Sequence, residues 1–263
     1  MGKVTVITSA ANPLLKDVRR AVTHGGCTAD GLVVAETFHL LEEALRSDLA
    51  VPVVIAAEGV RTAVESHVRG LNGVRVVVVA DTLLQEVTSV ETAQGVIALV
   101  RLPQWKLENA FGGTPLVVVI DGVQDPGNGG AIVRAGEAFG ATGALFLKGS
   151  VNPYHPRTIR ASAGSLFRVP FLAGLDAELV TAAFRQRKVK MFAADPRGDV
   201  ALVRADLKGP AAVVIGSEAH GVRESLSHGA VKLRIPTRGV ESLNAAVAAG
   251  VVLYEAARQR TRA

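Results

Sequence analysis

The chain has 263 residues, 49% of them hydrophobic and 20% charged, with 29 Lys and Arg against 24 Asp and Glu for a formal net charge of +5. This balance excludes a disordered chain, and the length accommodates one large domain or two modest ones. The single cysteine, Cys27, excludes an intrachain disulfide and a cysteine-based zinc site.

At the N-terminus, Asn12-Pro13 falls where a secretory signal needs an unbroken apolar core, and Val6 stands where a myristoylation motif needs Ser or Thr. No apolar run approaches the roughly 20 residues that span a bilayer. A soluble, cytoplasmic protein without a membrane partner is expected. Asn12-Pro13 also makes a good helix start, and Lys16, Arg19 and Arg20 at i, i+3, i+4 would share one face of that helix. Leu32–Ala35 reads as a short buried strand, followed by a helix over Thr37–Arg46 with Phe38, Leu41 and Leu45 on one face. Val51–Ile55 and Val74–Val79 read as strands flanking a polar helix around Arg61–Val68. Asp81 is the expected N-cap of the next helix, and Val96–Val100 closes the run as a strand.

Pro, Gly-Gly and charge around Trp105 mark a linker, which divides the chain into residues 1–106, a linker over 107–114 and a second domain over 115–263. In that domain Leu116–Ile120, Ala144–Leu147, Lys190–Ala193, Ala211–Ile215 and Val231–Ile235 read as strands. Ala131–Phe139, Asp176–Arg187 and Ser242 to about Arg258 read as helices. Alternating strands and helices predict two α/β domains, the second with a parallel sheet. Residues 1–110 carry 10 basic and 12 acidic side chains, and residues 111–263 carry 19 and 12. A basic second half fits a polyanionic partner or simple solubility equally well.

Three polar, Gly-rich segments follow strands, where open α/β sheets place ligands: Asp121–Gly130, Gly216–Gly221 and Ile235–Asn244. Ile132 occupies the third glycine position of a dinucleotide fingerprint begun by Gly127-Asn128-Gly129, so a nucleotide-sugar or NAD enzyme is disfavoured. No phosphate-binding loop, metal-spaced His/Glu cluster or nucleophile elbow occurs, and no metal is implied.

Asp125-Pro-Gly-Asn128-Gly-Gly-Ala-Ile-Val-Arg134, Ile215-Gly-Ser-Glu218-Ala-His-Gly221 and Ile235-Pro-x-x-Gly-x-x-Ser242-Leu-Asn244 resemble the three motifs of the SpoU (TrmH) family. These are S-adenosylmethionine-dependent RNA 2′-O-ribose methyltransferases of the knotted SPOUT class. The resemblance runs from about residue 115 to 258, with Arg160–Pro170 similar to the family's stretch between the first two motifs. Gly129-Gly130 and Thr237 depart from the usual residues without removing a polar motif position. Ser9-x-x-Asn12-Pro-Leu-Leu-Lys16 is similar to the opening of the rRNA-directed branch. Val34-Ala-Glu36 resembles that branch's ribosomal-protein-like substrate-binding domain, although Thr37 replaces the usual glycine.

The resemblance implies a C-terminal α/β domain with a parallel sheet and a trefoil knot, and a smaller N-terminal α/β domain that binds RNA. It implies a homodimer whose active sites lie near the interface. The small residues Ala245, Ala246, Ala248, Ala249 and Gly250 suit close helix packing, or plain helix propensity. It further implies a cofactor pocket of Gly216, Gly221, Ile235, Thr237 and Leu243, and a catalytic set of Arg134, Asn128, Glu218, Ser242 and Asn244. Lys16, Arg19, Arg20, Arg160 and Arg168 are the expected RNA contacts. The family proposal makes Arg134 the general base. Arginine stays protonated in proteins, so its chemistry points instead to holding ribose or phosphate and stabilising a developing 2′-oxyanion. An N-terminal domain of about 110 residues favours rRNA over tRNA as substrate. The alternative reading is a SPOUT-like RNA-binding protein without catalysis.

Overall fold

A computed structural model describes residues 4–89 and 94–261. In chain order, the first elements are β1 (Val4–Ile7), α1 (Pro13–His24), β2 (Val33–Ala35), α2 (Phe38–Arg46), β3 (Ala50–Ala57), α3 (Arg61–His67), β4 (Arg75–Val79), α4 (Asp81–Gln85) and β5 (Val96–Arg101). Next come β6 (Leu116–Asp121), α5 (Pro126–Ala138), β7 (Gly143–Leu147), α6 (Pro156–Ala161) and α7 (Ser165–Arg168). The chain ends with β8 (Phe171–Leu175), α8 (Ala177–Gln186), β9 (Lys190–Ala194), β10 (Val200–Ala201), β11 (Ala211–Gly216), α9 (Glu224–Ser227), β12 (Val231–Arg234) and α10 (Ala245–Thr261).

Two compact units result: residues 1–104 with 154–168, and residues 105–153 with 169–263. The division is therefore not a single cut. The expected linker is structured as well, because residues 107–111 form a 3-10 turn whose Ala110 is fully buried among Val117, Leu145 and Phe184.

The first unit is built on a five-stranded sheet ordered β1-β4-β3-β5-β2, in which β1, β4 and β3 run parallel and β5 pairs antiparallel with β3 and β2. Its core gathers Leu15 and Val18 of α1 against Ile55, Val77, Val79 and Leu99. Asn12 caps α1 as expected, accepting from Leu14 N at 3.0 Å. Thr37 caps α2, its Oγ1 accepting from Leu40 N at 3.1 Å in extended backbone; a capping hydroxyl satisfies a free helix N–H, which a glycine there could not do. The buried face of α2 is Leu40, Leu41 and Ala44, so Phe38 and Leu45 sit at its margins. Asp81 is not a cap: it is the first residue of α4, after Ala80.

Glu36, at the end of β2, is 3% exposed and receives four donors. They are Thr88 Oγ1 at 2.9 Å, Ser89 N at 2.6 Å, Ser89 Oγ at 2.5 Å and Arg160 Nη1 at 3.1 Å. Arg168 Nη1 bonds Glu43 Oε2 at 2.7 Å and Ser47 Oγ at 3.2 Å. Burial raises the Glu43 carboxyl, but the Arg168 and Arg46 guanidiniums outweigh it and hold the group below its ordinary value. These pairs fasten α6 and α7 into the first unit.

The second unit has a seven-stranded, wholly parallel sheet ordered β10-β12-β9-β11-β6-β7-β8. Every residue of β6 is buried, as continuous apolar runs in central parallel strands require. β8 was not expected from the sequence; it is an edge strand whose Ala-Gly interrupts the β-branched pattern, and β10 and α9 are too short to carry a period. The Gly-rich first motif is shorter as a loop than expected. Asp125 caps α5, accepting from Asn128 N at 2.8 Å, so Pro126–Gly130 form its first turn. α10 starts at Ala245 rather than Ser242, with Asn244 Oδ1 accepting from Ala246 and Val247 N at 3.0 and 3.2 Å. Its Ala245 and Ala249 are buried where it packs on α5 and β11. Among the described residues no helix is long and apolar enough to cross a membrane.

Candidate functional site

Sheet register brings the motifs together. β11 lies between β6 and β9, with Gly216 level with Asp121, and β12 pairs with β9 so that Leu233 stands level with Ala194. All four strands end on the same side, where open α/β sheets bind ligands. A cleft of about 890 Å³ opens there, within the range of small-molecule sites. The five expected cofactor residues Gly216, Gly221, Ile235, Thr237 and Leu243 all line it, together with Glu218 and Ser242.

The segment after β11 folds back on itself. Ser217 and Gly221 exchange backbone hydrogen bonds at 3.2 and 2.9 Å, and Ser217 Oγ accepts from His220 N at 3.1 Å. Gly221 takes a φ of 67°, and a Cβ on Gly216 would lie 2.1 Å from the Gly221 carbonyl carbon and 2.2 Å from Val222 N. Gly216 is thus required by the loop's own backbone, whereas the sequence suggested a glycine cleared for a ligand. In the third segment, Thr237 Oγ1 donates to Val240 O at 3.0 Å and rounds the turn. Ile215, Leu233, Ile235, Leu243, Ala245 and Ala248 supply apolar wall.

Three of the expected catalytic residues form one chain of hydrogen bonds. The Asn244 carbonyl oxygen caps α10, which turns its amide nitrogen to Asn128 Oδ1 at 2.9 Å. The Asn128 amide nitrogen then donates to Glu218 Oε1. Every donor in the series points towards the Glu218 carboxylate. Arg134 stands apart, six residues beyond Asn128 on α5, a rise of about 9 Å. It is exposed, makes no hydrogen bond or ion pair among the described residues, and does not line the cleft. Ser242 is exposed at the cleft and caps nothing.

The expected RNA contacts lie in the first unit. The Lys16 ammonium is exposed and has no partner among the described residues. Arg19 pairs with Glu86 at 2.7 Å and Arg20 with Asp17 at 2.6 Å, both partly solvated. Arg160 and Arg168 are committed to Glu36 and Glu43. The sequence missed Asp195, Pro196 and Arg197 after β9 and Arg223 after the second motif, all of which line the cleft. Their signal was a polar segment directly after a buried strand. Among the described residues no group of three His, Cys, Asp or Glu could hold a metal ion.

Residues 115–254 match the SpoU rRNA Methylase family and residues 12–98 the MRM3-like substrate binding domain. Over 157 residues the chain is 38% identical to the 23S rRNA (guanosine-2′-O-)-methyltransferase RlmB of Xylella fastidiosa. That match covers 59% of this chain and 63% of the relative, so the chain spans less than two thirds of its length. It is 28% identical to the 23S rRNA (guanosine(2553)-2′-O)-methyltransferase RlmP of Bacillus subtilis, across 94% of this chain and 97% of that one. The AdoMet-bound rRNA methyltransferase from Sinorhizobium meliloti superposes with a TM-score of 0.80 at 28% identity, covering 98% of both chains.

Proposed function

Because the chain belongs to the SpoU rRNA methylase family, we propose that it methylates ribose 2′-hydroxyls of RNA with S-adenosylmethionine, its substrate being ribosomal RNA of the 23S type. The observation that carries this is the cleft at the strand ends, with the Asn244–Asn128–Glu218 chain at its edge. The cleft fits the cofactor by its chemistry: Ile235 and Leu243 offer apolar wall to an adenine ring, and the backbone around Gly216 and Gly221 offers polar groups. The Glu218 carboxylate suits a sulfonium cation. When bound, S-adenosylmethionine supplies an electrophilic methyl group.

The chain's own task is then to align a 2′-hydroxyl and stabilise it as its proton departs. Arg134, exposed and without a partner among the described residues, has donors to offer a ribose oxyanion or a neighbouring phosphate. Asn128, Glu218 and Asn244 hold one another by hydrogen bonds, and Ser242 presents its hydroxyl at the cleft. Lys16 is the readiest phosphate contact of the basic stripe, with Arg19 and Arg20 beside it in solvated ion pairs. The closed ion pairs of Arg160 and Arg168 support a structural part in the RNA-binding unit instead. A homodimer is supported by the apolar side chains that α10 exposes, Val247, Val251 and Tyr254. The trefoil knot belongs to the same proposal, supported by the return of α10 from the β12 side of the sheet to α5.

The deciding experiment maps 2′-O-methyl groups on ribosomal RNA from cells with and without the protein. A site lost with the protein and restored by purified enzyme and S-adenosylmethionine is expected. Methylation of tRNA alone, or of no RNA, would overturn the reading.

A further inference from the structure

Asp121 closes β6 with a side chain only 2% exposed, and both its oxygens are held by one residue from another loop. Its Oδ2 accepts from Arg223 N at 2.7 Å and its Oδ1 from Arg223 Nε at 2.5 Å, while Arg223 Nη2 donates to Lys148 O at 3.0 Å. Ser150 continues the connection, accepting from Gly122 N at 2.9 Å and donating to Ile120 O at 2.8 Å. Arg223, which also lines the cleft, therefore ties together the ends of β6 and β7 and the segment that follows β11.

The loop 217–221 has internal bonds that fix its shape, but its tilt depends on its two ends. Strand pairing holds one end at Gly216, and Arg223 holds the other. A buried ion pair is a weak stabiliser compared with apolar residues of similar volume, but the Arg223 main-chain N–H and Nε on the two oxygens of one carboxylate admit a single placement. We infer that Asp121 and Arg223 are a positioning pair for the methyl transfer, holding loop 217–223 so that Glu218 meets Asn128 and the cleft keeps its wall. This inference rests on the reading of the cleft as the cofactor site.

The test compares full-length wild type with Arg223→Met, Arg223→Lys and Asp121→Asn. Methionine retains the backbone N–H to Asp121 but loses the fork, lysine retains the charge without reaching both acceptors, and asparagine turns an amide donor against a donor. At a temperature well below each melting point, Arg223→Met and Asp121→Asn are expected to raise the S-adenosylmethionine Kd by about 10- to 100-fold, the loss of charge-assisted bonds. Arg223→Lys should recover part of it. Hydrogen exchange should quicken in 217–223 while β6 and β11 keep their protection. Cofactor affinity within twofold of wild type in both variants, or exchange in 217–223 unchanged, overturns the inference. If Arg223→Met does not fold, Arg223→Lys decides: wild-type affinity and wild-type exchange in that variant overturn the pair. A wild-type protein that binds no cofactor refutes the proposed function instead, and the exchange measurement still decides the pair.

Discussion

Replacing Gly216 with alanine adds one methyl group at the point where the second motif turns back on its own strand. The new Cβ would stand 2.1 Å from the Gly221 carbonyl carbon and would need about 1.3 Å of relief to reach ordinary contact at 3.4 Å. The obstacle is backbone, so no rotamer change relieves it, and the two bonds between Ser217 and Gly221 must open. At about 0.5–1.5 kcal/mol each, their loss costs about 1–3 kcal/mol. If the cofactor needs the closed loop, its Kd should rise by about 5- to 150-fold. Gly221→Ala is the internal contrast. There the φ of 67° costs about 1–2 kcal/mol, but no atom lies within 4 Å of the added Cβ. That variant should lose stability while binding the cofactor better than Gly216→Ala does. Calorimetric titration with S-adenosylmethionine, alongside thermal melts, reads both quantities. A Gly216→Ala protein that binds within twofold of wild type, or a Gly221→Ala protein that binds worse than it, would refute the reasoning.

Arg134→Ala should leave cofactor affinity intact and slow methyl transfer by at least about 10²–10³-fold, measured as single-turnover rates at saturating cofactor. Lys16→Ala should flatten the dependence of log RNA affinity on log salt by about 0.7 for a single-stranded contact, with superimposable lines showing that it touches no phosphate. Glu43 has a lowered pKa in the folded state, so its contribution is complete above its unfolded value of 4.5 and is lost as pH falls through the folded value. Arg168→Met removes the partner that depresses it and should flatten the acid limb of the stability curve measured by denaturant titration. Arg260 donates to the carbonyls of Leu207, Thr114, Pro115 and Gly209 at 2.6–3.0 Å and anchors the end of α10. Arg260→Met should cost about 2–4 kcal/mol of stability by the same titration.

The strands were legible where apolar residues run unbroken, because central parallel strands bury both faces. Thus β6, β7, β9 and β11 were found within a residue or two. The edge strand β8 was not, since its exposed Ala-Gly needs no apolar pattern. Helix starts were less legible, for a chemical reason. Asp81, Asp125, Ser242 and Asn244 are all competent caps by residue type, and only the backbone shows that Asp125 and Asn244 serve. A glycine-rich stretch read as loop became the first turn of α5 because the Asp125-Pro126 start outweighed the poor helix propensity of Gly127, Gly129 and Gly130.

The site divides along a similar line. Its cleft was legible because the three motifs each follow a strand, and parallel register alone brings such segments to one end of a sheet. Its charged residues were not, because a guanidinium's role depends on which carboxylate reaches it across long stretches of chain. Arg160 lies 124 residues from Glu36 and Arg223 lies 102 from Asp121. Nothing in local spacing distinguishes either from Arg134, which has no partner among the described residues. The distinguishing feature is on the acidic partner: Glu36 and Asp121 each end a strand of buried residues, where an ionised carboxylate cannot remain without donors. An acid at the end of an apolar strand therefore demands a cation from elsewhere. In this chain that demand claims Arg160 and Arg223 and leaves Arg134 without a partner among the described residues.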